Sequence, residues 1–493
     1  MSEVKVNNAT FFLDPNKNWL ENLFLKGFFQ ETPLCTGIGR CGKCKIKFLS
    51  NLPLVTDKEK EILSCAELRE GFRLACEHFP QDNQNIIYDY QNTRFEHNYD
   101  LKQIDILGID IGTTTLKWGG FDSSKNFLFL GQKINPQMGA GAEVLSRVSF
   151  ALENDISYLQ EIILKDIQLI WNGFKGKIGI VGNTVMMYLL LGENIKELSY
   201  APFQISLKGG IWRTLKEKKI YIPPFFGAFV GADISAGLAY IEEIKKPKYP
   251  YLFCDFGTNG EIVLVKDKDD ILCTSVALGP ALEGIGLRFG ASYNKEAISS
   301  FFLSLDGING FNKKEKFRIT GTGYLSLIDI FLKIGIVNRD GHFNNQFNFK
   351  RLKNNLRDSC FYLTKYVFID EKDIEEILKV KAAINLGIIF LLNKAKLKFN
   401  DISSVWISGV LGCNLVEDIL INLGFFPFEF ENKIKFIENS ALKGLCLILA
   451  DKTIRKNVEE WLQKSTYYNL SNFSDFLQYF VKAMNFNFWR NNS

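Results

Sequence analysis

At 493 residues, with 46% apolar and 23% charged side chains, the chain is long enough for roughly two to four domains with sizeable cores. Its net charge of +4 comes from Lys and Arg spread along the chain, without the basic stripe of a nucleic-acid-binding surface. The longest apolar runs fall far short of the roughly 20 residues that cross a bilayer, and the N-terminus lacks a basic start followed by an apolar stretch, so a cytoplasmic protein without a membrane span is expected.

In such a compartment ten cysteines suit thiolate chemistry or free thiols better than a disulfide framework, and five of them fall within residues 35–76. The pattern predicts a hairpin from Val4–Asn7 and Thr10–Leu13, a helix over Trp19–Phe28, a strand at Lys45–Leu49 and a closing strand at Asn85–Tyr90. That order fits a β-grasp ferredoxin. Between helix and strand, Cys35-Thr-Gly-Ile-Gly-Arg-Cys41-Gly-Lys-Cys44 spaces three cysteines with glycines. Glycine permits backbone angles that a side chain forbids and lets backbone N–H groups approach bridging sulfides. A fourth thiolate comes from Cys76 in Gly71-Phe-Arg-Leu-Ala-Cys76. Cys35, Cys41, Cys44 and Cys76 are therefore expected to ligate a plant-type 2Fe-2S cluster, although five residues, not four, separate the first two. A structural zinc site is the competing reading, but zinc ribbons usually carry two short-spaced pairs and Cys76 stands alone. Cys65 competes as fourth ligand. It lies in a helical-looking stretch where a buried thiol is the simpler role.

A polar connector over 83–103 leads into Ile104-Asp-Ile-Leu-Gly-Ile-Asp110-Ile-Gly-Thr-Thr-Thr115-Leu-Lys117, an apolar strand running into Asp-x-Gly-Thr and a second strand. Backbone N–H groups of Gly112 and the following threonines can wrap an oxyanion while Asp110 holds a magnesium ion, directly or through water. A second copy follows in Tyr251-Leu-Phe-Cys-Asp255-Phe-Gly-Thr-Asn-Gly-Glu-Ile-Val-Leu264. Each alone reads equally well as a tight turn. Two spaced copies point to the duplicated nucleotide-binding fold of actin, the large chaperone ATPases and sugar kinases, built here from 104–248 and 249–450. ATP and Mg2+ are then the expected ligands, with Gly112, Thr113, Thr114, Thr115, Lys117, Gly257, Thr258 and Asn259 on the phosphates and Asp110 and Asp255 in the chemistry. Lys177–Gly182 is a buried strand whose turn offers Gly182 and Asn183. Asp233, in the first turn of a helix, either orders the attacking water or caps that helix. Val405-Trp-Ile-Ser-Gly409-Val-Leu-Gly412 reads as a strand and turn on the adenosine side. There is no Walker A sequence, which disfavours a mononucleotide P-loop ATPase.

A 2Fe-2S ferredoxin (residues 1–82) joined to such an ATPase resembles the reductive activators of corrinoid proteins. The resemblance runs through most of residues 35–450. It rests on the two cysteine segments, Asp110–Thr115, Asn135-Pro-Gln137, Gly182-Asn-Thr-Val-Met186 with Leu189–Gly192, Val230-Gly-Ala-Asp233-Ile, Asp255–Val263 and Gly279-Pro-Ala-Leu-Glu-Gly284. It implies an α+β and α/β multidomain architecture and an ATP-dependent oxidoreductase. Such an enzyme passes one electron from the cluster to cob(II)alamin on a separate corrinoid protein, regenerating cob(I)alamin, and is itself served by an upstream electron donor. It also implies a homodimer through the ATPase domain. Three departures stand out. Tyr188 replaces a usual His, and Gly321-Thr-Gly-Tyr-Leu-Ser326 and Ser408–Gly412 replace other glycine-rich turns. The middle domain of longer relatives is expected to be missing.

The three histidines, His78, His97 and His342, form no pair with metal-ligand spacing. Asp340-Gly-His342-Phe-Asn-Asn345 approaches a cobalt-ligating pattern but lacks its glycine, and reads as a polar turn. Residues 451–493 are expected to be a helical extension whose aromatic stripe packs on the ATPase domain. Two other functions compete: an ATP-coupled electron donor to another low-potential metalloenzyme, and a non-catalytic nucleotide-binding redox sensor.

Overall fold

The computed structural model describes residues 1–32, 34, 37, 39, 41–88, 101–291, 296–311, 316–409, 416–470, 473 and 475–491, so the expectations for Cys35 and Gly412 lie outside the described residues. The chain folds as two compact units, one of residues 1–177 and 185–207, the other of 178–184 and 208–493.

The first unit opens with a mixed five-stranded sheet of β1 (Ser2–Val6), β2 (Ala9–Leu13), β3 (Lys45–Ser50), β4 (Phe72–Leu74) and β5 (Asn85–Ile87), in the order β2-β1-β5-β3-β4. Alternation of apolar residues puts Val4, Val6, Leu13, Ile46, Phe48 and Ile86 on one face, against Trp19, Leu23 and Phe29 from and beyond α1 (Trp19–Leu25). The helix is shorter than expected because Gly27, at φ +89°, turns the chain out of it. The sheet also outlasts residue 82, since β5 pairs with β1 and Tyr88 is buried in the same core. Two short helices, α2 (Asp57–Ile62) and α3 (Cys65–Arg69), each start with a capping box, Thr56 with Glu59 and Ser64 with Glu67. Cys65 is exposed at the first position of α3, not buried as expected, because capping by Ser64 turns that position to solvent.

The rest of this unit is an antiparallel meander, β6 (Ile106–Ile111), β7 (Thr115–Phe121) and β8 (Phe127–Ile134), followed by a 3-10 turn at Pro136–Ala140 and helices α4 (Val144–Asn154) and α5 (Ile156–Ile170). β9 (Lys177–Gly182) and α6 (Thr184–Leu191) come next in the chain.

In the second unit β10 (Ile211–Leu215) and β11 (Lys218–Ile222) form a hairpin, with β11 parallel to β9. Helix α7 (Ala232–Tyr240) then leads to β12 (Tyr251–Phe256), β13 (Asn259–Asp267) and β14 (Asp270–Ala277). A small hairpin of β15 (Phe302–Ser304) and β16 (Gly307–Asn309) precedes α8 (Gly321–Lys333). A three-stranded sheet of β17 (Leu356–Arg357), β18 (Cys360–Tyr362) and β19 (Phe368–Asp370) precedes the long α9 (Glu371–Ala395). Next come β20 (Val405–Gly409), α10 (Glu417–Asn422), β21 (Ile434–Phe436), α11 (Ser440–Ala450), α12 (Lys452–Lys464), β22 (Ser465–Tyr468) and α13 (Phe476–Ala483). The main sheet has the order β21-β20-β12-β13-β14-β22. Its central strand Tyr251-Leu-Phe-Cys is buried on both faces, as its unbroken apolar run requires.

The C-terminal extension is thus not wholly helical. Ser465-Thr-Tyr-Tyr, rich in β-formers, adds an edge strand to the sheet beside β14. The aromatic stripe after it does pack on this unit, with Phe473, Phe476, Phe480 and Met484 against the core around α9. Among the described residues no helix is long and apolar enough to cross a membrane.

Candidate functional site

Gly37, Gly39 and Gly42 all take positive φ, between +62° and +79°. Cys44 is buried and its Sγ lies 3.4 Å from that of Cys76. The hydrogen bond that Cys44 donates to Cys76, burial and the neighbouring thiols push the Cys44 thiol well above its ordinary pKa. A bound metal ion would displace the protons of such crowded thiols. Among the described residues no group of three or more His, Cys, Asp and Glu side chains is arranged to hold a single metal ion. The structure brings Cys44 and Cys76 together, with Cys41 near enough to act on Cys44 electrostatically.

The residue that fixes Cys76 was not singled out from sequence. Glu59, fully buried at the third position of α2, accepts from Leu74 N at 2.7 Å and lies 2.9 Å from His78 Nε2, so it pins both sides of Cys76. Burial opposes its charge, but the bonds from His78, Thr56 and Leu74 prevail and its pKa is lowered. The only trace in the sequence was the Thr56–Glu59 capping spacing.

The first Asp-x-Gly-Thr segment is the turn between β6 and β7, closed by Gly112 N donating to Thr115 O at 3.1 Å. Asp110 and Lys117 are register partners across the hairpin, and Thr114 is buried. Outside the turn, Asn135 donates through Nδ2 to Gly112 O at 2.8 Å and through its backbone N–H to Thr114 O at 2.9 Å. Arg147, fully buried, donates to Thr113 O. Arg147 is a second residue missed from sequence, where it is one cation on an ordinary amphipathic helix.

The second segment is the turn between β12 and β13. Here Gly257 N donates to Asn259 O at 2.9 Å, and the nearly inaccessible Thr258 donates to Glu283 Oε1 at 3.0 Å. Asp255 stands opposite Glu261 in the antiparallel pair and beside Ser408 in the parallel one. Glu261 is only 6% exposed and takes a 3.0 Å bond from Asn183 Nδ2. Burial, then the charges of Asp233 and Asp255, raise its pKa well above the usual carboxylate range. Asp233, Asp255 and Glu261 are therefore one electrostatic group, with Asn183 bonded to it. Glu261 is the third missed residue. Its signal was its place in the Asp255 segment, six residues on, which a tight hairpin turns back opposite the aspartate.

Gly231 is the N-cap of α7, and Asp233 accepts from the adjacent Ile234 N at 2.9 Å. Its side chain is therefore not the cap. Gly182 ends β9 just before Asn183, whose side chain also donates to Phe229 O at 3.1 Å. Gly409 ends β20 at φ +79°, where a Cβ would meet the Phe256 carbonyl and sit 2.6 Å from Asp255 Oδ1. It packs against the second loop itself. Tyr188 is buried, donates to Glu197 at 3.1 Å and accepts from Leu207 N at 3.0 Å, a structural tie within the first unit. Gly321-Thr-Gly opens α8, capped by Thr320. His342 is exposed beside Glu371 at 3.1 Å, in a turn.

A strand-turn-strand carrying Asp255, backed by parallel strands and a long helix, defines the nucleotide-binding ASKHA class, which takes in actin and the sugar kinases. Comparison with known proteins agrees. A family model described as the C-terminal domain of RACo, the ASKHA domain, matches residues 250–492, and one described as the RACo middle region matches residues 106–246. The chain belongs to the family of reductive activators of corrinoid proteins.

The middle-region match corrects the expectation that this region is missing. It falls on residues read from sequence as the first ATPase half, because their Asp-x-Gly-Thr hairpin resembles the second. The corrinoid activation enzyme RamQ of Eubacterium limosum is 29% identical over 395 residues, 71% of this chain and 65% of that protein. A reductase of Methanosarcina barkeri, named for a Co(II) methylated amine-specific corrinoid protein, is 24% identical over 373 residues, 66% of each. The chain thus spans just under two thirds of the length of these curated relatives. In fold it is similar to a solved reductive activator for corrinoid, iron-sulfur protein, with a TM-score of 0.67, 24% identity and 98% of each chain covered.

Proposed function

We propose that the protein is an ATP-dependent reductive activator, passing one electron to the cob(II)alamin of a partner corrinoid protein and restoring cob(I)alamin. In this reading residues 1–88 are a β-grasp ferredoxin domain in which Cys35, Cys41, Cys44 and Cys76 hold a 2Fe-2S cluster. When bound, that cluster supplies the one-electron donor, refilled by an upstream reductant. The observation that carries the reading is the 3.4 Å approach of Cys44 and Cys76, beside glycines at positive φ, in a chain that also holds an ASKHA domain.

For the nucleotide, Asp110 and Asp255 are the carboxylates suited to Mg2+. Gly112 and Gly257 close the two turns, and backbone N–H groups of Thr113–Thr115 and of Thr258 and Asn259 suit phosphate oxygens, with Lys117, Gly182 and Asn183 as polar support. Asp233 is assigned to ordering the attacking water, and Gly409 with Gly412 to the adenosine side. Nucleotide is needed because the electron moves uphill. A gap of roughly 250 mV costs about 6 kcal/mol for one electron, which a nucleotide-driven change of binding state can offset. A cytoplasmic location and a homodimer belong to the same proposal.

The test is anaerobic. The reduced protein is mixed with a cob(II)alamin protein, with and without ATP and Mg2+, and the cobalt spectrum is followed. ATP-accelerated loss of cob(II) is expected; an ATP-independent rate overturns the proposal.

A further inference from the structure

The first Asp-x-Gly-Thr loop is held from outside. Asn135 and Arg147 between them bond the carbonyls of Gly112, Thr113 and Thr114, three consecutive residues. Arg147 also donates to Gly141 O at 2.9 Å and Gln137 Oε1 at 3.4 Å, and Gln137 donates to Leu159 O at 2.8 Å. The turn at Pro136–Ala140 and the loop are therefore one hydrogen-bonded body, and Asn135, Gln137 and Arg147 are all fully buried.

The turn also meets the N-terminal domain. Phe24, at the end of α1 and fully buried, lies against Gly139 so closely that a Cβ there would fall on its ring. That ring meets Phe150 edge-on at 5.3 Å and Tyr158 at 5.5 Å, and the Tyr158 hydroxyl donates to the Phe24 carbonyl. Around this contact Lys133 bridges Glu31 at 3.0 Å and Asp166 at 2.7 Å, and Asn154 donates to Glu21 at 2.9 Å. At its other end α1 is tied to the cysteine region. Trp19 N donates to His78 O at 2.8 Å and Leu20 N to Ala75 O at 3.1 Å, on either side of Cys76.

We infer that Phe24 is a positioning residue for the Asp110 loop, acting through the Asn135–Gly141 segment. The path runs from Ala75 and His78 through α1 and Phe24 to the turn, and from the turn to the carbonyls of Gly112–Thr114. Every link is a direct contact between packed or hydrogen-bonded groups. Any ligand that tightens the loop then tightens the seat of α1, and the reverse holds by linkage. The role of nucleotide here rests on the function proposed above; the mechanical link from Phe24 to the loop does not.

The test is amide hydrogen exchange on the full chain, comparing wild type with Phe24→Ala, Phe24→Leu and Tyr158→Phe. Without nucleotide, Phe24→Ala is expected to speed exchange at residues 112–115 and 137–141 by roughly tenfold. Phe24→Leu, which refills the seat, returns most of that protection. Tyr158→Phe, which removes one hydroxyl and keeps the ring, gives an intermediate increase and serves where Phe24→Ala unfolds. In wild type, ATP with Mg2+ slows exchange across residues 19–25, and Phe24→Ala abolishes this response, which a merely structural role would not predict. Unchanged exchange at 112–115 in both Phe24→Ala and Tyr158→Phe, with α1 loosened, overturns the inference. If ATP fails to protect 112–115 in wild type, the nucleotide reading of the loop falls, while the nucleotide-free comparison still decides the role of Phe24.

Discussion

Asp373 offers a quantitative test of the electrostatics inside the second unit. It lies near the start of α9, only 4% exposed, accepting from Arg288 N at 2.9 Å and from Asp370 N at 3.4 Å. Burial, then the neighbouring Asp370 carboxylate, push it up from 3.8 to about 7. A folded-state value above the unfolded one means that the folded chain binds the proton more tightly. The stability this confers is complete below pH 4 and is lost as pH rises through about 7. At about 1.4 kcal/mol per tenfold, the whole span corresponds to roughly 4 kcal/mol. Asp373→Asn carries no charge to bury and keeps an oxygen for Arg288 N, at the cost of the long contact to Asp370. It should match wild type near pH 4 and exceed it by about 2–4 kcal/mol above pH 8. Guanidinium unfolding at pH 4.5, 6, 7 and 8.5 measures this. A pH-independent difference, or wild type gaining on the variant as pH rises, would refute the assignment of a protonated carboxyl.

Three further outcomes are expected. Glu59→Ala removes the acceptor for Leu74 N and His78, costs about 2–4 kcal/mol, and lowers the iron bound after anaerobic reconstitution, whereas Cys65→Ser leaves it unchanged; equal iron in Glu59→Ala and wild type would count against its role. Gly409→Ala forces a side chain onto Asp255 at a positive φ and should weaken ATP binding by roughly tenfold or more in calorimetry, at about 1–3 kcal/mol of strain. Lys381 is fully buried, donates to Ala483 O at 2.6 Å and Asn485 O at 2.7 Å, and burial lowers it to about 7. The folded chain then binds the proton less tightly than the unfolded one, so the deficit of Lys381→Met in thermal unfolding should be largest above pH 10.5, shrink as pH falls from there to about 7, and stay level below it.

Local rules made the hairpins and the glycine-spaced cysteines legible, because strand alternation and turn chemistry act over a few residues. Both Asp-x-Gly-Thr turns lie where the pattern put them. What sequence did not expose are the groups that act from a distance: Glu59 on Cys76, Arg147 on Thr113 and Glu261 opposite Asp255. In each case a buried charged residue has an ordinary local context, and only tertiary packing supplies its partner. The same blindness explains the aromatic stripe at the C-terminus. Its apolar content was read correctly as packing, but Ser465–Tyr468 became a strand because β14 offered a free edge, which nothing nearby in sequence announces.

The two hairpins differ in a way that bears on division of labour. The Asp255 turn is bounded by charged groups, with Glu261, Asp233 and Glu283 close to it in space. The Asp110 turn is bounded by neutral carbonyls held by Asn135 and Arg147, with Lys117 opposite its aspartate. Carboxylates suit a cation and an attacking water; a scaffold of held carbonyls suits a loop whose position is being read. In the function proposed above, the attacking water therefore belongs with the carboxylates of the second unit. The first loop is instead continuous through Phe24 with α1, whose first residues are bonded on either side of Cys76.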